Sequence, residues 1–239
     1  MRVPALCYHR IEVPPPGYEH DSNYVTPALF RAHVQLLAAL GCTGVTVTDV
    51  ARWQRGEIAL PPRPVAITFD DAYSSVVEYA IPVLEARGWT STIFVVSSQL
   101  GGTNAWDSGA PPATLLDRAA LCSLAATGHE IGSHSRHHVR IKGLDPADAA
   151  PELAGSRQDL EQELGHPVTG FAFPYGSHDR AALSLVEAAG YTSACTLKRW
   201  ANPRGGNPRR LGRMSVGGAL PVWKFGLKLA KLYATPAVS

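Results

Sequence analysis

Short apolar, β-rich runs alternate with capped helical segments along this chain from end to end, and that alternation leaves few folds open. Strands separated by helices run parallel, because each helix carries the chain back across the sheet. The expected strands are 3–8, 45–47, 65–69, 91–95, 130–132, 170–173, 193–196 and 211–216. Between them, Thr26-Pro27 reads as an N-cap followed by proline in the first turn, with Gly41 as the stop after Leu36, Leu37 and Leu40. Further helices are expected over 75–87 before Gly88, from Asp145-Pro146 to about residue 164, and over 179–189 before Gly190. Seven or eight such units predict an α/β fold: a single, distorted TIM-like barrel of about seven parallel strands. An open doubly wound sheet is the rival that periodicity does not separate from it. With 239 residues, one catalytic domain spanning 1–239 accounts for the whole length.

The bulk chemistry narrows the function classes. A content of 45% hydrophobic and 18% charged residues is that of a soluble globular protein, and a net charge of +2 with scattered Lys and Arg gives no nucleic-acid footprint. Cys7, Cys42, Cys122 and Cys195 lie far apart, mostly in apolar stretches, as buried free thiols of a reducing compartment do. The first apolar residues run straight into Tyr8-His9-Arg10, and no stretch reaches spanning length, so a cytoplasmic location is the expectation. Residues 221–233 place Trp223, Phe225, Leu227, Leu229 and Leu232 beside Lys224, Lys228 and Lys231. A terminal helix packed on the barrel is expected there, with a peripheral membrane-surface helix as the alternative. Residues 12–24, 97–114 and 200–210 read as loops of the kind that build sites at strand C-termini.

Two segments carry chemistry. Val65-Ala66-Ile67-Thr68-Phe69-Asp70-Asp71 is an apolar strand ending in adjacent carboxylates. Successive strand residues face opposite sides, so both serve one site only if the strand has ended and both turn to the mouth. A helix cap is the competing use of one of them. In Glu130-Ile131-Gly132-Ser133-His134-Ser135-Arg136-His137-His138, histidines four apart fall on one face of a helical turn and reach one ion, with His137 competing for the role. One Asp with two His makes an N/O set with open positions, suited to catalytic Zn²⁺ or another late divalent ion such as Co²⁺ or Ni²⁺.

Thr68-Phe69-Asp70-Asp71, His134-Ser135-x-x-His138 and Phe173-Pro174-Tyr175-Gly176 resemble, in this order, three motifs of the polysaccharide deacetylases of carbohydrate esterase family 4, the chitooligosaccharide deacetylase-like domain. The resemblance covers about residues 3–216. The opening Leu6-Cys7-Tyr8-His9-Arg10 is similar to the circularly permuted branch typified by poly-N-acetylglucosamine deacetylases. It implies Asp71, His134 and His138 as metal ligands, Asp70 as general base, His9 as general acid, the Tyr175 backbone N–H as oxyanion donor, and Pro174 and Tyr175 as substrate contacts. The implied reaction removes the N-acetyl group from an acetylated amino sugar, whether glycan, lipid-linked or small glycoside. Acetate and a free amine are released.

The same assignment is chemically coherent, since one carboxylate must stay off the metal to take a proton from water. One departure matters: where many members carry an arginine two residues before the motif proline, this chain has Ala172. Arg10, Arg210 and Arg213 are unranked substitutes. His9 also reads as a half-buried structural histidine. Hydrolysis of another non-peptide amide and a non-catalytic carbohydrate-binding role are the rival functions.

Overall fold

The computed structural model describes residues 1–218 and 220–234; Ala219 and residues 235–239 of the expected domain lie outside the described residues. In chain order the elements are β1 (Arg2–Val3), β2 (Ala5–Tyr8), α1 (Pro27–Ala39), β3 (Thr43–Val45), α2 (Val47–Gln54), β4 (Pro64–Phe69), α3 (Ile81–Glu85), β5 (Thr92–Val95), α4 (Arg118–Ala126), β6 (Glu130–Ser133), α5 (Pro146–Ala150), α6 (Ser156–Leu164), β7 (Gly170–Ala172), α7 (Arg180–Ala188), β8 (Ser193–Cys195), β9 (Asn202–Pro203), β10 (Met214–Ser215) and α8 (Val222–Ala234).

Seven strands in the order β10-β2-β4-β5-β6-β7-β8 form one curled parallel sheet, with β3 paired to the first half of β4. This is the barrel and not its doubly wound rival. The expected strand 211–216 is split. Leu211 bridges Cys195 on β8, whereas Met214 and Ser215 pair with Leu6 and Cys7 on β2. Gly212 and Arg213 therefore cross between the two outermost strands of the sheet, and this crossing decides where the Arg213 side chain goes. At Gly212 a Cβ would stand 2.5 Å from the Trp200 indole nitrogen, so only glycine passes there.

The period-2 rule sorts the strand residues. Leu6, Tyr8, Ile67, Phe69, Ile93, Ile131, Phe171 and Phe173 join the large outer core under the helices. Ala5, Ala66, Phe94, Ala172 and Cys195 form a smaller inner cluster. Burying each large outer side chain stabilises by about 1.5–3 kcal/mol. The inner residues are small apart from Phe94, and Arg213 threads the space they leave, its guanidinium carbon 5.4 Å from the Phe94 ring centroid.

Local signals account for the ends and for two corrections. Thr26 caps α1 through the Leu29 N–H, Asp117 caps α4 and Asp179 caps α7. The expected strand 45–47 stops at Val45, because Thr46 and Asp49 make a reciprocal capping box that starts α2 instead. A helix was not expected there. Near the bottom, β1 and β9 form an unanticipated antiparallel pair. The runs 75–87 and 145–164 are helical as expected but widen into π turns at Val76–Ala80 and Pro151–Gly155. Pro82 and Pro151 cannot supply a backbone N–H to a regular ladder.

Helix α8 packs on α1, with Phe225, Leu229 and Leu232 buried and the Phe225 ring stacked on His33 at 4.2 Å. Cys7, Cys42 and Cys195 are buried free thiols, and Cys122 is half-buried. No helix among the described residues is long and apolar enough to cross a membrane.

Candidate active site

Strand β4 ends at Phe69, and the Asp70 N–H still donates to the Tyr8 carbonyl at 2.9 Å, which keeps Asp70 in the inward register. Asp71 then takes φ 72°, in the left-handed region that costs a non-glycine residue energy. That reversal lets two adjacent carboxylates reach one mouth. Neither serves as a helix cap.

Asp70 is gripped by Arg213. Arg213 Nη1 donates to Oδ1 at 2.6 Å and Nη2 to Oδ2 at 2.8 Å, while Nη1 also reaches Thr68 Oγ1 at 2.8 Å. Cys7 Sγ–H adds a weak third donor, 3.3 Å from Oδ2. Burial alone would raise the Asp70 pKa, but the Arg213 guanidinium outweighs it and holds the carboxyl well below the usual carboxylate range. The other two arginines are elsewhere. Arg10 lies between the Tyr24 and Tyr73 rings, 4.7 Å from each centroid, and Arg210 lies over Trp200.

His134 and His138 do not share a helical turn, contrary to the expectation from their spacing. Residues 134–138 form an irregular loop with φ 65° at Ser135 and 59° at His138. Glu152, in the π turn beside α6, holds this loop: its Oε2 accepts the N–H groups of Arg136 and His137 at 3.1 and 2.9 Å. The His137 ring goes to Glu152 Oε1 at 2.6 Å and leaves the site to the other two histidines.

His134 Nδ1 lies 2.8 Å from the Ala172 carbonyl, which only accepts, so Nδ1 carries the proton and Nε2 a lone pair. Burial lowers the His134 pKa to about 4 despite the attraction of Asp70, so the ring is neutral. His134 Nε2 stands 3.5 Å and His138 Nε2 3.2 Å from Asp71 Oδ1, an oxygen that is buried without a hydrogen-bond partner. Donor atoms of these three residues all lie within 4.8 Å of one another. Two imidazole nitrogens facing a buried carboxylate oxygen make an N/O donor set that fits a divalent cation. Cys7, His9 and Asp70 also cluster, but the Arg213 pairing occupies Asp70 and burial raises the Cys7 thiol pKa, so that set suits an ion poorly.

His9 follows β2 in the inward register, half-buried, with Nδ1 buried and unpartnered and a ring nitrogen within 4.8 Å of an Asp70 oxygen. After β7 the chain turns through Pro174-Tyr175-Gly176, with Tyr175 at φ 60° and Gly176 at φ 63°. A Cβ at Gly176 would meet the Leu197 Cβ at 2.6 Å, which explains the glycine. Pro174 is buried beneath the turn and does not line the cleft. The Tyr175 side chain does, with its hydroxyl 3.2 Å from His138 Nδ1 and Arg140 4.0 Å from its ring centroid.

The cleft above these groups has a volume of about 370 Å³. Two of the expected loops wall it, one with Asn23, the other with Trp106 and Asp107, and Trp106 stacks on His138 at 4.7 Å. The sequence reading did not single out Asn23, Asp107, Leu197 or Glu152. Asn104-Ala105-Trp106-Asp107 held a usable signal, since the Asn104 amide shapes its loop by bonding Pro111 O and Ala113 N.

A family model described as polysaccharide deacetylase matches residues 57–194. The chain is 25% identical over 232 residues to the poly-beta-1,6-N-acetyl-D-glucosamine N-deacetylase of Staphylococcus epidermidis, covering 89% of this chain and 78% of that one. Among solved structures it is similar to the deacetylase PplD of Streptococcus pyogenes, with TM-score 0.82, 20% identity and 99% of each chain covered. IcaB from Ammonifex degensii gives TM-score 0.81 and 24% identity, covering 95% of this chain and 96% of that one. At these identities the two structures speak to the fold.

Proposed function

Since the chain belongs to the polysaccharide deacetylase family, carbohydrate esterase family 4, we propose that it is a metal-dependent N-deacetylase that hydrolyses the N-acetyl amide of an acetylated amino sugar, with residues 1–239 acting as one catalytic domain. The observation that carries the reading is the pair of neighbouring carboxylates in unlike environments. Asp71 faces the Nε2 atoms of two imidazoles and Asp70 faces a guanidinium.

A divalent ion held by Asp71, His134 and His138, with Zn²⁺ expected ahead of Co²⁺ or Ni²⁺, would supply Lewis acidity toward the acetyl carbonyl and acidify water. Asp70 stays ionised beside Arg213 and accepts a proton from the water whose oxygen bonds to the acyl carbon. The same pairing costs Asp70 basicity, because the driving force for proton transfer falls with pKa. The Tyr175 N–H donates to the oxyanion that develops as the carbonyl π bond opens. His9 gives a proton to the sugar nitrogen as the C–N bond breaks, so acetate and a free amine leave. Trp106 and the Tyr175 ring offer apolar faces for the sugar and the acetyl methyl. The conversion of poly-N-acetylglucosamine named for the Staphylococcus relative supports an N-acetylglucosamine-type substrate.

The test pairs metal analysis with acetate release from N-acetylglucosamine oligomers. Asp71→Asn and His134→Ala are expected to lose bound metal, while Asp70→Asn keeps it and loses about 10²–10⁴ in rate. Near-normal turnover by Asp70→Asn, or full metal content in Asp71→Asn, would overturn the assignment.

A further inference from the structure

Helix α8 is apolar over far more of its circumference than its packing uses. At about 100° per residue, Leu232, Phe225, Leu229, Tyr233, Gly226, Ala230, Trp223 and Leu227 span an arc of roughly 220°. Phe225, Leu229 and Leu232 fill the half that meets the body of the protein. The other half stands in solvent: Trp223 is 63% and Leu227 56% exposed. Next to it, an apolar groove of about 530 Å³ opens between α1 and α8, lined by Leu36, Leu40, Ala230 and Tyr233 among others. Solvent-facing apolar side chains of this size on one stripe need a partner or carry a cost.

The charge beside the stripe says which partner. Lys224, Lys228 and Lys231 occupy the arc immediately past Leu227, and the segment 221–234 contains no Asp or Glu. A second copy of the chain would bring the same lysines against these, whereas an anionic lipid surface neutralises them while its acyl boundary takes the Trp and Leu. No helix among the described residues is long and apolar enough to cross a bilayer, and the amphipathic α8 suits lying in its interface.

We propose that the outer face of α8 docks this protein onto anionic membrane surfaces, with Trp223 and Leu227 entering the headgroup boundary and Lys224, Lys228 and Lys231 contacting lipid phosphates. Ser215 lines the catalytic cleft, and α8 begins seven residues later, so the start of α8 lies at most about 25 Å from that cleft residue. The docked protein then meets amino sugars presented at a membrane. That corollary rests on the deacetylase reading, and the docking does not.

The test is co-sedimentation of the full chain with vesicles of phosphatidylcholine, with and without phosphatidylglycerol, in low and in molar salt. Binding is expected only with phosphatidylglycerol and is suppressed in molar salt, where screening acts within about 3 Å. Lys224→Gln and Lys228→Gln each weaken it about fivefold. Trp223→Ser/Leu227→Ser removes it while the melting temperature of the protein holds. Absent binding, equal binding to both vesicle types, or a dimer in solution that Leu227→Glu dissociates would each overturn the proposal. Because no turnover is read, failure here leaves the deacetylase reading standing, and the converse holds.

Discussion

Arg213→Met is the most demanding perturbation of this site, because it removes one partner of a buried ion pair and leaves the other in place. Arg213 is fully buried and the Asp70 side chain is 3% exposed, so water does not replace the lost guanidinium. What remains to Asp70 is the Cys7 thiol, a weak donor at 3.3 Å. Stranding a buried charge in this way costs about 3–5 kcal/mol. In a chain of this size each kcal/mol lowers the melting temperature by about 2–4 °C, so a fall of about 6–20 °C is expected. Removing both charges, in Arg213→Met/Asp70→Asn, takes away the pair together with its desolvation, and stability should return by about 2 kcal/mol or more over Arg213→Met. Arg213→Lys recovers only part, since a point charge does not match the two carboxylate oxygens as the fork does. The assay is a double-mutant cycle by urea unfolding of metal-stripped protein in the presence of chelator, so that metal binding does not enter the stability. If the two single substitutions add to the double within about 0.5 kcal/mol, the pair does not hold Asp70 as argued.

Glu152→Ala should weaken metal affinity about 10–100-fold, because the His137 N–H and ring lose their acceptor and the Arg136 N–H keeps only the residue-152 backbone carbonyl, so the histidine loop loosens; chelator competition giving an unchanged Kd would refute this. His9→Gln should lower kcat by about 10²–10⁴ with metal content intact, and a wild-type rate across pH would reduce His9 to a structural role. Burial lowers the pKa of His33 in the folded state, so the unfolded chain takes up its proton first. Stability is therefore full above about pH 6.5 and falls below it, by up to about 1.4 kcal/mol per pH unit for this histidine. His33→Phe should flatten that slope, and an unchanged slope in urea unfolding between pH 7 and 5 would assign the loss to other groups.

The parallel barrel was legible in the sequence because strand and helix periods, caps and stops are local properties. Thr26-Pro27 and Asp179 mark helix starts whatever surrounds them, and Val65-Ala66-Ile67-Thr68-Phe69 pairs as a strand in almost any α/β context. The three motifs were legible for the same reason, since each sits within a few residues. What local rules misread were places where one side chain overrides a pattern. Thr46 turned an expected strand end into a capped helix, and left-handed Ser135 and His138 replaced an expected helical turn.

The partner of Asp70 is of another kind. Arg10, Arg210 and Arg213 look alike in sequence, and what separates them is that Gly212-Arg213 cross between β8 and β2 and so point one guanidinium into a barrel interior lined by small residues. Likewise Glu152 reaches the histidine loop through space, from a π turn fourteen residues beyond His138. The residue types and strand order by themselves determined the barrel and the chemistry that its mouth offers. Only the closure of the sheet decided which charge faces which, because electrostatic pairing depends on distance through space, and distance along the chain does not report it.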